Sequence, residues 1–116
     1  MKDISGKIEY KGIVYKLVFN LNVMELIQEE YGTIEKWGEI TDGTATGESN
    51  AKAVKFGFMA MLNEGIDIAN EENGTDIKPF TLKQVGRMIT EIGLENTTAV
   101  LNKTVVDSTK SEEKNA

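Results

Sequence analysis

The chain has 116 residues, a formal net charge of −6 and 40% hydrophobic residues, with no cysteine and no histidine. One domain usually takes roughly 100 to 200 residues, so a single core is expected. The two missing residue types remove disulfides, thiolate nucleophiles, thiolate zinc sites, imidazole bases and the Ser/His/Asp triad, and the acidic balance argues against nucleic acid, whose binding is dominated by Lys and Arg on phosphates.

No run of about 18 apolar residues marks a membrane span, and the start, Met1 to Gly6, lacks the apolar stretch of a signal peptide. A cytoplasmic protein is expected. The three Asn-x-Thr triplets at Asn73, Asn96 and Asn102 therefore read as chance matches to the glycosylation pattern.

From Lys7 to Asn20, Ile13, Tyr15, Leu17 and Phe19 alternate with Val14, Lys16, Val18 and Asn20, the period of a pleated strand. Lys11-Gly12 separates this run from Ile8 and Tyr10 and predicts a short hairpin. A lone hairpin is marginal in water, so it must pack on helices.

Asn22 and Glu25 have the spacing of a capping box, and Leu21 with Leu26 that of a hydrophobic staple. They predict a helix that buries Met24, Ile27 and Tyr31 and stops at Gly32. Thr33 to Ile40 reads as a short turn burying Ile34 and Trp37. Thr41 to Glu48, with two glycines and no large apolar residue, reads as a mobile loop.

The longest predicted helix runs from Ser49 or Asn50 to Glu72 and ends at Asn73-Gly74. At 100° per residue, Ala51, Val54, Phe58, Met61, Leu62, Gly65, Ile68 and Ala69 form its core stripe. The opposite side carries Lys52, Lys55, Asn63 and Asn70, yet Phe56, Met59 and Ile66 fall among them. Either the hairpin covers these three, or they are a partner-binding stripe, for which flexible Met and large aromatics are suited.

Thr81 with Gln84 and Phe80 with Val85 repeat the box and staple after Pro79, predicting a helix that ends at Gly93 with Val85, Met88, Ile89 and Ile92 inside. A last helix, Glu95 to Val106, is expected to bury Leu94, Val100 or Leu101, and Val105. Asp107 to Ala116 contains no large hydrophobe and is expected to be a disordered tail beyond a single domain of residues 1–106. The class is α+β, an N-terminal β-hairpin on about four helices.

Gly43 to Ser49 is glycine-rich and precedes a helix, but it has three residues rather than four between its glycines, and Glu48 stands where a phosphate loop has Lys. The pairs Glu29-Glu30, Glu71-Glu72 and Glu112-Glu113 point about 100° apart on a helix and read as solvated surface. Placing Gly74 as the glycine of a calcium loop would make Ala69 and Phe80 its first and last ligands, which excludes one. No catalytic residue, cofactor site or metal site is expected.

The strand entry Gly12-Ile-Val-Tyr15-Lys-Leu17-Val-Phe19-Asn-Leu21 runs into an acidic helix ending Glu29-Glu30-Tyr31-Gly32, followed by a long apolar helix, Phe80-Thr81-Leu82-Lys83-Gln84-Val85-Gly86, and a last helix before a charged tail. Over roughly Lys7 to Val106 this order resembles the tail-assembly chaperones of long-tailed bacteriophages, particularly the group related to the gene transfer agent tail protein. The resemblance implies a non-enzymatic protein in the cytoplasm of a bacterial host that holds the tape-measure protein soluble while tail-tube protein polymerises around it. It leaves open self-association and a frameshifted longer form, and the loop from Thr41 to Glu48 matches no motif of the family. Competing expectations are a structural tube or connector subunit and, from the glutamate pairs alone, a carboxylate enzyme or cation-binding regulator.

Overall fold

The computed structural model describes residues 6–115, with side chains as far as Ser108. Two strands, β1 (Gly6–Tyr10) and β2 (Ile13–Leu17), pair antiparallel from Gly6 opposite Leu17 to Tyr10 opposite Ile13. Lys11 and Gly12 turn between them with φ of 53° and 79°, the two left-handed residues of a tight hairpin turn. The Lys11 ammonium lies 5.4 Å from the centre of the Tyr10 ring.

Five helices follow: α1 (Leu21–Tyr31), α2 (Ile34–Asp42), α3 (Ala51–Asn73), α4 (Leu82–Ile92) and α5 (Leu94–Asn115). The architecture is α+β, a hairpin on helices. The extra helix is α2, where a short turn was expected. Thr33 caps it by accepting from the Lys36 N–H at 2.9 Å, and it continues through the buried Thr41.

Helix α1 starts two residues earlier than its sequence pattern indicates. Asn20, not Asn22, is the cap, accepting from the Val23 N–H at 3.2 Å. The Asn22 amide instead donates to Glu64 of α3. With the frame shifted, Leu21 is no staple; it is 74% exposed.

The segment after α2 is tied down rather than left as a loose loop. Ala45 N–H donates to the Glu39 carbonyl, Gly47 N–H to Gly43, and Asn50 N–H to Ile40. The Thr44 hydroxyl and N–H bond to Asp42 and hold its carboxyl below its ordinary pKa.

Helix α3 is the centre of the molecule, capped by Asn50, which accepts from the Ala53 N–H at 3.0 Å, and ended by Gly74 in the left-handed region. Ala53, Val54, Gly57, Phe58, Ala60, Met61, Leu62 and Ile66 are buried along it, so it is covered nearly all round, well beyond the single stripe expected. Two glycines permit this. A Cβ at Gly57 would collide with the Trp37 ring of α2, and one at Gly65 would strike the Lys16 carbonyl of β2. The Trp37 indole donates to the Ala53 carbonyl at 3.0 Å and Val18 N–H to the Met61 carbonyl at 3.2 Å.

The extended residues 75–80 return the chain along α3, gripped by two asparagines. Asn63 exchanges two hydrogen bonds with the backbone of Phe80, and Asn70 two with that of Ile77. The box predicted at Thr81 and Gln84 is complete, and α4 buries Val85, Met88 and Ile89.

Helix α5 closes the fold over β1, with Leu101 as the buried member of the expected pair. Leu94 is 43% exposed, and Val100 and Val105 are only half-buried. Leu101 is buried with Thr97, Thr104 and Ser108. The threonine hydroxyls donate to the carbonyls of Gly93 and Val100 in and beside their own helix, and Ser108 Oγ donates to the Phe19 carbonyl at 3.1 Å. Ser108, just beyond the boundary expected after Val106, is buried against the fold. The helical backbone continues to Asn115; the side chains of the expected tail beyond Ser108 lie outside the described residues.

Alanine at a helix-interior glycine ordinarily stabilises by about 0.5–1 kcal/mol. A methyl group added at Gly38 of α2 would meet nothing within 4 Å, so Gly38→Ala should raise the urea midpoint. Gly65→Ala should lower stability by roughly 1–3 kcal/mol, because backbone must move to admit the methyl. Equal shifts for the two variants would refute the close approach of β2 to α3.

Candidate functional site

The three stripe residues part company in the structure. Ile66 is 6% exposed and belongs to the core. Phe56 and Met59 are half-buried at the core's margin. They line a shallow groove of about 220 Å³ between α1 and α3, together with Leu26, Ala60, Asn63, Glu64 and Asp67.

Helical geometry explains the split. Ile66 follows Met59 by seven residues, which keeps it within about 20° of the same line, but the chain returning over residues 75–80 and entering α4 covers that end of the helix. Phe56 and Met59 lie nearer α1, whose Leu26 is 46% exposed. From Phe56 to Asp67 the groove follows eleven helical rises, about 16 Å.

Its floor is preorganised. The Phe56 ring meets Tyr31 of α1 edge to face, with centroids 5.8 Å apart, an arrangement favoured by the ring quadrupoles. At the other end Asn20 and Asn22 both donate to Oε2 of Glu64, at 2.8 and 3.1 Å, which ties α1 to α3 and holds a carboxylate at the groove. With Asp67 beside it, one end of the groove is acidic and the other apolar. This suits an amphipathic segment with large apolar side chains and a cation following them.

Helical periodicity pointed to Phe56 and Met59, but it missed Leu26, Glu64 and Asp67. Leu26 was assigned to a staple by the shifted α1 frame. Asp67 carried a detectable signal: it stands eleven residues after Phe56, within about 20° of its line on the helix, where an acidic rim would be drawn, whereas Glu64 lies about 80° from that line.

The Tyr31 hydroxyl is buried without a hydrogen-bond partner among the described residues. Burial, and secondarily the nearby Glu30 carboxylate, raise its pKa above the usual value. The described residues hold no group of three acidic side chains able to share a metal ion, and no described helix is long and apolar enough to cross a membrane. The chain matches no family model, no curated protein and no solved structure.

Two outcomes follow from these placements. Met59→Ser should melt cooperatively within a few degrees of the parent, whereas Ile66→Ser should cost roughly 3 kcal/mol or more, since it opens a cavity and buries a hydroxyl; thermal denaturation followed by circular dichroism checks both. Tyr31→Phe removes an unpaired buried hydroxyl and should leave stability unchanged or improve it by up to about 1 kcal/mol at neutral pH. Because the folded pKa lies above the unfolded one, the phenol's contribution is complete below pH about 10 and is lost as pH rises through the folded value. The variant should therefore show a shallower alkaline fall in melting temperature, and an unchanged alkaline limb would refute the burial of this hydroxyl.

Proposed function

We propose that this protein is a non-enzymatic tail-assembly chaperone of a long-tailed phage or prophage, working in the bacterial cytoplasm. It keeps the tape-measure protein soluble and helps tail-tube protein polymerise around it. The order of segments from the Gly12–Leu21 strand entry to the last helix supports the family reading. The observation that carries the activity is the groove at Phe56 and Met59, an apolar surface about three helical turns long that ends in two carboxylates.

Such a groove accepts a helix by shape and polarity rather than by a unique sequence. Met supplies adaptable packing, and the acidic end sets the direction of a helix that carries Lys or Arg beyond its apolar anchors. A long helical client offers many such stretches. The net charge of −6 keeps the complex soluble while tube subunits replace the chaperone.

Co-expression with the long helical protein encoded just downstream, followed by purification through a tag on either chain, tests the reading. A soluble complex is expected where the client alone aggregates, and Leu26→Ser with Met59→Ser should reduce client recovery at least tenfold while leaving the chaperone folded. Failure to capture a soluble, monodisperse client would overturn the proposal in favour of a structural tail subunit.

A further inference from the structure

Charge and apolar exposure are unevenly distributed over this chain. The hairpin from Gly6 to Leu17 carries Lys7, Lys11 and Lys16 against Glu9 alone, a net of +2 in a chain of −6. Its tip is also apolar: Ile13 is 54% and Val14 62% exposed. The groove between α1 and α3 has the opposite character, a concave apolar surface ending in Glu64 and Asp67, with no basic side chain among the described residues that line it.

These two surfaces cannot meet within one molecule. The hairpin packs on the side of α3 that carries Gly65, and Asp67, two residues later, points about 160° away around the helix. The tip itself lies beside Phe80, just ahead of α4, and Arg87 in the middle of that helix.

They fit between molecules. We propose that the hairpin tip of one copy docks in the α1/α3 groove of a second copy, with Val14 against Leu26 and Met59 and Lys11 against Glu64 and Asp67. The four residues Lys11 to Val14 span at most about 13 Å, within the groove's length of about 16 Å. The tip is convex and held by its tight turn, so little conformational freedom is lost on docking.

The contact is heterologous. Each copy that gives its tip keeps an open groove, and each that gives its groove keeps an open tip, so association propagates into open chains or closes as a ring. The interface is small, of the kind that forms weak, transient contacts. Its charged half also makes it sensitive to salt, since the screening length falls to about 3 Å at 1 M. The contact occupies the groove assigned above to a client, so the two occupants exclude one another; the self-contact is measured on the purified chain alone and does not depend on that assignment.

Complementation between two variants tests it. Lys11→Glu with Val14→Ser disables the tip, and Met59→Ser with Asp67→Lys disables the groove. Sedimentation velocity of the unmodified chain at concentrations up to about 1 mM should show concentration-dependent association that weakens several-fold in high salt. Each variant alone should sediment as a monomer, and an equimolar mixture should recover association, because the intact tip of one meets the intact groove of the other. Recovery in the mixture also shows that both variants are folded. A monomeric parent chain over the whole range, a tip variant that associates like the parent, a groove variant that still self-associates through its tip, or a mixture that stays monomeric would each overturn the proposal. The tip variant should retain client capture, so loss of capture by the parent chain with self-association intact would sink the chaperone reading alone.

Discussion

Everything in this fold is hung on one helix, and that helix can be covered on so many sides only because its neighbours come unusually close. Where most helices of a small domain turn one face to water, α3 receives α1, α2, α4, α5 and β2. Gly57 admits the Trp37 ring, and Gly65 admits the backbone of β2. Without those two missing side chains, α2 and the hairpin would stand off from α3, and the dispersion contacts that make a close-packed core would be lost on both flanks. The groove is the strip that remains once the other sides are taken.

Signals that act over three or four residues were legible in the sequence. Asn50 and Gly74 bound α3, and Thr81 with Gln84 starts α4, because a cap needs only its own turn. The hairpin was legible for the same reason, although Lys11 must adopt a left-handed conformation that glycine or asparagine accepts more readily. Where two asparagines competed, local pattern failed. Asn20 and Asn22 both suit a cap, and the choice is made by Glu64, 42 residues away from Asn22, which engages both amides.

The same limit applies to the candidate site. Helical periodicity identified Phe56, Met59 and Ile66 as apolar residues on a polar side, and they fall within about 80° of one another around the helix. What divides them is the returning segment of residues 75–80, which Asn63 and Asn70 clasp with paired donors and acceptors on its backbone. Asparagine on a helix surface ordinarily signals solvent, so nothing in the local pattern distinguished these two from Lys52 and Lys55. The end of α5 was misplaced for a related reason: a seam of Thr97, Thr104 and Ser108 is polar by composition and buried in fact, because each hydroxyl spends its hydrogen bond on a carbonyl.

That seam has a consequence for how the chain is made. The first strand rests on the last helix: Gly6 lies against Val100 and Thr104, and Ser108 reaches back across 89 positions to Phe19. A ribosome adds roughly 5–20 residues each second, so β1 waits several seconds for its cover. During that interval the apolar inner face of the hairpin, with Ile8 on it, is unshielded in a crowded cell. The three lysines of the hairpin then act as gatekeepers, keeping nascent copies from pairing edge to edge until α5 arrives.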